Sequence, residues 1–210
     1  MKSFDLSLYL VTDSTGLEED RFLSIIDSAC AGGVTFLQLR EKDRSAGEYL
    51  TLAIKVKEIT DKYNIPFIID DRVDIALACD AAGVHIGQSD LPIISARKIM
   101  GQDKIIGATA KTVSQALSAH AQGADYLGVG AIFPTTTKVI TVLTEVSTLN
   151  DIIAAVDIPV AAIGGLNAEN MNVLEHSKIS GIAVVSAIMK ARNPLSAALE
   201  LKEKVLSLKA

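Results

Sequence analysis

Acidic side chains follow two successive apolar runs of this chain, within a few residues of the end of each run. Asp70 and Asp71 come directly after residues 66–69, and Asp90 comes shortly after residues 83–86. Two carboxylates from neighbouring loops, with room for water and substrate oxygens, are ligands that Mg²⁺ commonly takes. The alternative is that Asp71 and Asp90 cap the helices predicted to follow them. We expect a magnesium site at Asp71 and Asp90, where Asp70 adds negative charge that favours a cation.

Cationic and hydroxyl side chains follow two other apolar runs. Arg40 and Lys42 come after residues 34–39, and Lys138 ends the segment Pro134-Thr135-Thr136-Thr137-Lys138. Three hydroxyls and an ammonium group can hold phosphate oxygens through charge-assisted hydrogen bonds. A lysine is also a compact charge that can neutralise a phosphate or a leaving pyrophosphate. The alternative for this threonine-rich segment is a solvated polar loop.

Small residues stand at two further places where a phosphate could bind. Gly164-Gly165 leads into a predicted helix, and Val185-Ser186 ends a later apolar run. Glycines let a phosphate approach backbone N–H groups, and the amino end of a helix favours negative charge. A glycine pair alone is a weak signal, and its weight depends on where it falls in the fold.

The elements that must position these residues alternate between short β-rich runs and longer helical stretches. Predicted strands cover residues 6–12, 34–39, 66–69, 83–86, 105–108, 126–130, 159–163 and 182–185. Predicted helices cover residues 18–31, 47–63, 73–80, 93–100, 113–122, 146–156, 168–176 and 195–208. Strands that alternate with helices imply a parallel sheet, because parallel neighbours need a crossover connection. Eight such units predict an α/β fold, a single (β/α)₈ TIM barrel in which residues 1–210 form one catalytic domain.

The runner-up is an open doubly wound sheet, which normally has fewer strands and a glycine-rich loop after the first strand. Here the glycine-rich loop comes late, at Gly164-Gly165, and this favours the barrel. All strands of a parallel barrel open their carboxyl ends on one face, so the polar segments are expected to converge on one mouth. Phosphate sites of barrels often lie after the seventh and eighth strands, where Gly165 and Ser186 fall.

Composition and charge limit the kinds of partner that this protein is expected to bind. The formal net charge of −5 argues against a nucleic-acid binder, which needs a basic face, but not against small anionic ligands. No apolar run is long enough to cross a membrane, and Asp5 interrupts any signal peptide at the amino terminus. Cys30 and Cys79 lie in apolar surroundings, so we expect buried free thiols and a cytoplasmic protein. His85 lies inside a predicted strand, where a core or supporting role is expected.

Six motifs, in this order and spacing, resemble the motif series of the thiamine phosphate synthase family over residues 9–188. They are Gln38-Leu39-Arg40-Glu41-Lys42, Asp70-Asp71-Arg72-Val73-Asp74-Ile75-Ala76, Gly83-Val84-His85-Ile86-Gly87-Gln88-Ser89-Asp90, Gly123-Ala124-Asp125-Tyr126-Leu127-Gly128-Val129-Gly130, Pro134-Thr135-Thr136-Thr137-Lys138 and Ile163-Gly164-Gly165. The resemblance implies a Mg²⁺-dependent transferase. It would join 4-amino-5-hydroxymethyl-2-methylpyrimidine diphosphate to 4-methyl-5-(2-phosphoethyl)thiazole, giving thiamine phosphate and pyrophosphate. It also implies a dissociative mechanism, in which pyrophosphate leaves before the thiazole nitrogen attacks.

The resemblance also implies a role for each matching position. Contacts to the pyrimidine diphosphate are implied for Gln38, Leu39, Arg40, Glu41 and Lys42, and contacts to the pyrimidine or its pyrophosphate for Asp70, Thr109 and Lys138. Contacts to the thiazole phosphate are implied for Thr135, Thr136, Thr137, Gly165, Val185 and Ser186. Mg²⁺ is implied at Asp71 and Asp90, and Arg40 and Lys138 are implied to be catalytic.

Four departures from the family pattern stand out. Thr109 replaces a common Ser, Lys111 replaces a common His, and Asp70 replaces a common Asn. The segment Val139-Ile140-Thr141-Val142-Leu143 is apolar where the family usually turns polar. We therefore expect a loop after Lys138 that differs from the family's.

Two other functions compete with the synthase. A thiazole tautomerase would need the thiazole phosphate site but neither the paired acids nor the diphosphate-binding cations. The presence of Asp71, Asp90, Arg40 and Lys138 argues against it. A non-catalytic protein that binds thiamine phosphate would saturate with ligand without releasing pyrophosphate. The expected partners are small-molecule substrates, and a homo-oligomer is compatible with the sequence.

Overall fold

Eight short strands form a closed parallel barrel in the computed structural model, which describes residues 3–135 and 142–209. The strands are β1 (Leu8–Val11), β2 (Phe36–Leu39), β3 (Phe67–Asp70), β4 (Gly83–Ile86), β5 (Ile105–Ala110), β6 (Tyr126–Val129), β7 (Val160–Ile163) and β8 (Gly181–Val184). Each strand pairs with the next, and β8 pairs with β1. The prediction of a (β/α)₈ barrel is confirmed, and the alternative of an open doubly wound sheet is wrong.

Helices cover the outside of the barrel. They are α1 (Glu19–Ala31), α2 (Ala46–Lys62), α3 (Val73–Ala78), α4 (Ile93–Met100), α5 (Val113–Ala121), α6 (Val146–Ala155), α7 (Ser186–Met189) and α8 (Pro194–Lys209). The predicted bounds agree with these to within a few residues, except that the four-residue α7 was not predicted.

The helix predicted over residues 168–176 is wrong, because only a 3₁₀ helix, Met171–Leu174, forms there. The Asn167 side chain accepts hydrogen bonds from the N–H groups of Glu169 and Asn170, at 2.8 and 3.1 Å. Asn170 Oδ1 in turn accepts from Asn167 N–H at 2.9 Å. Such local side-chain bonds hold the backbone in a turn that competes with a regular α-helical start.

Apolar side chains pack on both faces of the sheet. An inner core fills the barrel with Tyr9, Phe36, Ile68, Tyr126 and Ala183, among others. An outer core lies between the strands and the helices and includes Leu8, Leu37, Ile69, Val84 and Leu127. Because both faces are buried, the strands read in the sequence as continuous apolar runs rather than as alternating ones.

The amino-terminal end of the barrel carries a cavity of about 750 Å³, lined by residues that include Phe4, Arg97 and Asp125. Arg97 Nη2 donates to Asp125 Oδ2 at 2.6 Å and to Gly123 O at 2.8 Å, and its Nη1 also donates to backbone carbonyls. Through these bonds the Arg97 guanidinium joins the segments that precede β5 and β6. We therefore assign this end a stabilising role, as is usual for the amino-terminal face of such barrels.

Two further findings bear on the expectations from composition. Cys30 and Cys79 are buried and unpaired, as predicted. No helix within residues 3–135 and 142–209 is both long enough and apolar enough to cross a membrane.

Candidate active site

Ion pairs join the ends of β2 and β3 at the carboxyl end of the barrel. Lys42 Nζ lies 2.6 Å from Asp70 Oδ2 and also contacts Asp71 Oδ2. Arg40 Nε lies 3.8 Å from Asp70 Oδ2. Partial burial opposes the charge on Lys42, but the two carboxylates outweigh it, so the pKa of Lys42 is raised. The predicted cations after β2 and the predicted acids after β3 are therefore in contact.

Asp71 and Asp90 bring their carboxylates together at the ends of β3 and β4. Asp71 has a positive φ of 60°, which turns the chain sharply after β3, and its N–H donates to His85 O at 2.9 Å. Asp90 Oδ2 accepts from Gly87 N–H at 2.8 Å. Burial and the nearby Asp71 carboxylate together raise the pKa of Asp90 above its usual range.

The capping alternative for these two acids is wrong. Helix α3 has Arg72 as its N-cap residue and α4 has Pro92, and neither cap makes a side-chain hydrogen bond. Asp71 and Asp90 each lie one or two residues too early in the chain to serve as the cap. Their carboxylates point to each other and to the loop after β4 instead.

The paired carboxylates of Asp71 and Asp90 are oxygen donors that could hold a divalent cation. Burial and the Asp71 carboxylate raise the pKa of Asp90, and the Lys42 ammonium contacts Asp71, so positive charge is favourable at this point. In the described part of the chain, no group of three or more His, Cys, Asp or Glu residues is arranged to hold a metal. Mg²⁺ commonly takes one or two protein carboxylates and fills its other positions with substrate phosphate oxygens and water.

Glu41 ties the loop after β1 to the loop after β2. Its side chain is 5% exposed, and its Oε2 accepts from Ser14 Oγ at 2.8 Å and from Arg44 Nε at 3.0 Å. The other carboxylate oxygen, Oε1, is buried without a hydrogen-bond partner among the described residues. Glu41 is thus placed to hold the loop that carries Arg40 and Lys42.

Leu39 has its side chain fully buried in the outer core, and its carbonyl accepts a hydrogen bond from Tyr49 Oη at 2.7 Å. The contact with substrate implied for Leu39 would therefore have to come from its backbone. Tyr49, on α2, anchors the end of β2 from outside the barrel.

A chain of hydrogen bonds runs through the barrel interior from β2 to β5. Gln38 Nε2 donates to Tyr9 Oη at 2.6 Å, and the Tyr9 and Tyr126 hydroxyls are 2.9 Å apart. Tyr126 Oη lies 3.0 Å from His85 Nδ1, and His85 Nε2 lies 2.9 Å from Thr109 Oγ1. Burial lowers the pKa of His85 to about 4, so the ring is neutral near pH 7.

Gly164 and Gly165 let the loop after β6 lie directly on the loop after β7. Both have positive φ, 104° and 64°, and a Cβ on Gly165 would lie 2.7 Å from Pro134 O. Phe133 N–H donates to Gly164 O at 3.0 Å, which fixes the approach of the segment that leads to Thr135. The glycines therefore have a packing role here, whatever ligand they meet. Thr136, Thr137 and Lys138, all predicted site residues, lie outside the described residues.

Val185 and Ser186 line a cavity of about 330 Å³ beside the loop after β1. The same cavity is lined by Arg21 of α1 and by Lys190, which follows α7. These two cations were not predicted, because neither stands directly after a strand. Asp13 lines the cavity as well, so the two cations leave it with a net positive charge that suits an anionic group.

The fold and this mouth define a class of protein: a (β/α)₈ barrel whose carboxyl-terminal face gathers cations, paired acids and hydroxyls, as barrels that act on phosphorylated small molecules do. Residues 8–188 match the model of the thiamine monophosphate synthase family. The chain belongs to this family, whose members are transferases.

Individual relatives support the same family assignment. The chain is 51% identical to the thiamine-phosphate synthase of Methanobrevibacter smithii over 92% of each chain, and 53% identical to thiamine-phosphate synthase 2 of Streptococcus pneumoniae over 90% of each. Among solved structures, a thiamine phosphate pyrophosphorylase from Pyrococcus furiosus superposes with a TM-score of 0.89 at 37% identity, over 98% of each chain. A 3-hexulose-6-phosphate synthase superposes with a TM-score of 0.70 at 17% identity and shares the fold.

Besides Arg21 and Lys190, the sequence analysis missed Tyr9 and Tyr126 in the site region. Each reads in the sequence as an apolar strand residue, and both are almost fully buried. A signal was present, since a buried tyrosine hydroxyl usually needs a hydrogen-bond partner.

Proposed function

We propose that this chain condenses 4-amino-5-hydroxymethyl-2-methylpyrimidine diphosphate with 4-methyl-5-(2-phosphoethyl)thiazole, giving thiamine phosphate and pyrophosphate. The observation that carries the proposal is the cluster of Arg40, Lys42, Asp71 and Asp90 at the barrel mouth of a chain that belongs to the thiamine monophosphate synthase family. Residues 1–210 act as one catalytic domain, and the substrates are the two phosphorylated small molecules.

Arg40 and Lys42 bind the diphosphate of the pyrimidine substrate. The bond between the pyrimidine methylene carbon and the diphosphate oxygen breaks first, and negative charge grows on the departing pyrophosphate. Fixed cations that face this charge stabilise it most in the transition state. Lys42 would exchange its contacts with Asp70 and Asp71 for contacts with the diphosphate, and Lys138 adds a second ammonium. The methylene carbon then forms its new bond with the thiazole nitrogen.

Asp71 and Asp90 would hold Mg²⁺ together with the diphosphate oxygens. When bound, the ion supplies a Lewis acid that neutralises charge on the leaving group. Burial and the neighbouring Asp71 carboxylate raise the pKa of Asp90, so a cation bound there would favour its charged form. Both acids therefore gain from positive charge between them.

The thiazole phosphate is placed at the end of the barrel formed by β7 and β8. Gly165, Val185 and Ser186 were predicted there, with Thr135, Thr136 and Thr137 from the loop after β6. Arg21 and Lys190 border the same cavity and add positive charge. The two substrate phosphates are thus assigned to opposite sides of the mouth.

Two expectations about setting accompany the proposal. A net charge of −5 favours small-molecule ligands over nucleic acid. Two free thiols suit a reducing compartment such as the cytoplasm.

The test is a coupled assay of pyrophosphate release with both substrates and Mg²⁺. We expect thiamine phosphate and an equal amount of pyrophosphate when both substrates and the metal are present, and much slower pyrophosphate release when the thiazole phosphate is left out. A thiazole tautomerase would act on the thiazole substrate alone, and a binding protein would saturate with thiamine phosphate but release no pyrophosphate. Full turnover in excess chelator would refute the metal assignment while leaving the reaction in place.

A further inference from the structure

Four buried residues connect the two sides of the barrel mouth through hydrogen bonds. We call Gln38, Tyr9, Tyr126 and His85 the relay, and it ends on the hydroxyl of Thr109. Each relay residue is at most 9% exposed, whereas Thr109 is partly exposed. The family resemblance implies a substrate contact at each end of the relay, for Gln38 and for Thr109. It implies nothing for the two tyrosines between them.

The strands make room for the relay by means of glycines. Gly107 of β5 stands opposite Tyr126 in the strand register, and a Cβ there would lie 2.1 Å from Tyr126 Cζ. A Cβ on Gly128 of β6 would lie 3.3 Å from His85 Cε1. The tyrosine and histidine rings therefore occupy space that larger residues at these two positions would fill.

Each hydroxyl in the relay has one proton, so the direction of one bond dictates the next. Because Gln38 donates its amide N–H to Tyr9, the Tyr9 proton goes to Tyr126, the acceptor within reach among the described residues. Tyr126 must then donate to His85 Nδ1, and the neutral ring carries its proton on Nε2. That proton is donated to Thr109 Oγ1. The hydroxyl proton of Thr109 is left free to point into the mouth.

The opposite direction would also satisfy every group. If the residue at position 38 accepted from Tyr9 instead, Tyr126 would donate to Tyr9 and His85 would carry its proton on Nδ1. Thr109 would then donate to His85 Nε2 and present only lone pairs to the mouth. The Gln38 amide on β2 therefore determines whether the Thr109 hydroxyl on β5 faces the mouth as a donor or as an acceptor.

We propose that the relay residues are positioning residues, and that Gln38 sets the direction of hydrogen bonding that keeps the Thr109 hydroxyl a donor toward the anionic substrate. This inference rests on the proposed function, which brings a diphosphate to the mouth. A hydroxyl that donates stabilises an anionic oxygen, whereas one that presents lone pairs repels it. The relay thus gives Tyr9, Tyr126 and His85 a part in substrate recognition although none of them need touch the substrate.

The proton position on His85 can be read directly by NMR, without substrate or metal. In protein labelled with ¹⁵N at histidine, long-range ¹H–¹⁵N correlations distinguish the Nε2–H tautomer from the Nδ1–H tautomer. The signals are assigned by comparison with a His85→Gln variant, because His120 and His176 also contribute. We expect Nε2–H in the wild-type protein. In Gln38→Glu we expect Nδ1–H at a pH where the ¹³C shift of the new carboxyl group shows that it is ionised, because a carboxylate only accepts hydrogen bonds.

Gln88→Glu is the matched control for the added charge. Gln88 Nε2 donates to the backbone carbonyl of Thr109 at 2.5 Å, so this variant makes the same chemical change beside Thr109 but outside the relay. We expect it to keep the Nε2–H tautomer. An Nδ1–H tautomer in the wild-type protein would overturn the proposal, and so would an unchanged tautomer in Gln38→Glu with its carboxylate ionised.

A double-mutant cycle tests whether the relay acts through Thr109. Tyr126→Phe breaks the relay and keeps the ring, and we expect it to lower kcat/KM about threefold to tenfold, the range that one hydrogen bond contributes. In a Thr109→Val background, which has no hydroxyl to orient, the same change should cost nothing further. A merely structural effect of Tyr126→Phe would lower activity equally in both backgrounds and would overturn the proposal.

Tyr49→Phe is the control for loss of a buried hydroxyl. It removes a hydrogen bond of 2.7 Å to Leu39 O, on the outer side of the sheet, and should leave the His85 tautomer unchanged. The tautomer results are independent of catalysis. Failure of the wild-type protein to release pyrophosphate would refute the proposed function, while the tautomer of Gln38→Glu would still decide whether Gln38 sets the direction of the relay.

Discussion

Asp70 offers the sharpest test of the site, because it stands where the family commonly has Asn. Its carboxylate is 9% exposed, and the Lys42 ammonium lies 2.6 Å away. In the proposed reaction Lys42 must leave this carboxylate to meet the diphosphate. We therefore predict that Asp70→Asn keeps activity or raises it, by lowering KM for the pyrimidine diphosphate.

The size of the effect follows from the ion pair that is lost. At 2.6 Å, the Coulomb energy is about 6 kcal/mol at an effective dielectric constant of about 20 and about 1.6 kcal/mol in water. The Lys42 side chain is 44% exposed, so solvent screens the pair, and exposed pairs contribute a net of about 0.2–1 kcal/mol. A gain of at most about 1 kcal/mol corresponds to about a fivefold lower KM. The free energy of unfolding should change by no more than about 1 kcal/mol for the same reason.

The neighbouring Asp71 provides the contrast. Asp71→Asn removes a proposed metal ligand, so we expect kcat/KM to fall on the order of 10²-fold, the scale for loss of one group that stabilises developing charge. Asp74→Asn is the matched control, since Asp74 pairs with Arg72 on the exposed side of α3. It should leave kcat/KM unchanged.

The assay is pyrophosphate release at saturating Mg²⁺ and saturating thiazole phosphate, with the pyrimidine diphosphate varied. Thermal unfolding of each variant separates loss of activity from loss of fold. If Asp70→Asn lost most activity while Asp71→Asn stayed near wild type, the metal ligand would be Asp70. Such a result would refute our assignment of roles at the end of β3.

Three further predictions concern the rest of the site. Lys138→Ala should lower kcat on the order of 10²–10³-fold, as loss of a preorganised charge does. An unchanged kcat would favour the alternative, in which Lys138 belongs to a solvated loop. Ser186→Ala should raise KM for the thiazole phosphate more than KM for the diphosphate, because Ser186 lines the cavity beside Arg21; equal changes in both constants would show that the substrate sites are assigned wrongly. Mg²⁺ affinity, measured by calorimetry between about pH 4 and 7, should rise as Asp90 ionises, because its pKa is raised by burial and by Asp71 and the metal binds the charged form. Asp90→Asn should bind Mg²⁺ more weakly and show less of this pH dependence, and a wild-type affinity that did not change with pH would contradict the role of Asp90.

The sequence alone predicted the architecture, because each strand of this fold has a recognisable local pattern of residues. Strands buried on both faces appear as apolar runs, and the polar residue that follows each run marks the carboxyl end of the strand. Asp71, Asp90, Arg40 and Lys42 could therefore be assigned to one mouth before any contact was known. The motif series then gave the reaction, since several motifs agreed in order and spacing.

Local pattern failed where side-chain hydrogen bonds competed with periodicity. The run after β7 has helical spacing, but bonds from the side chains of Asn167 and Asn170 limit it to a 3₁₀ turn. The choice between capping and metal binding for Asp71 was open for a similar reason. An aspartate between the end of a strand and the start of a helix can serve either role, and only the backbone path shows that the cap falls on Arg72.

Contacts across the barrel were decided by the tertiary structure alone. Tyr9 and Tyr126 are 117 residues apart in the chain, and each looks like an ordinary core residue in the sequence. Closure of the sheet brings their hydroxyls to 2.9 Å and joins Gln38 to Thr109 through them. Periodicity reports which face of a strand is buried, but not which residue of a distant strand that face meets. The partner of a buried polar group depends on the strand register and on the space that Gly107 and Gly128 leave open, and both are properties of the closed barrel.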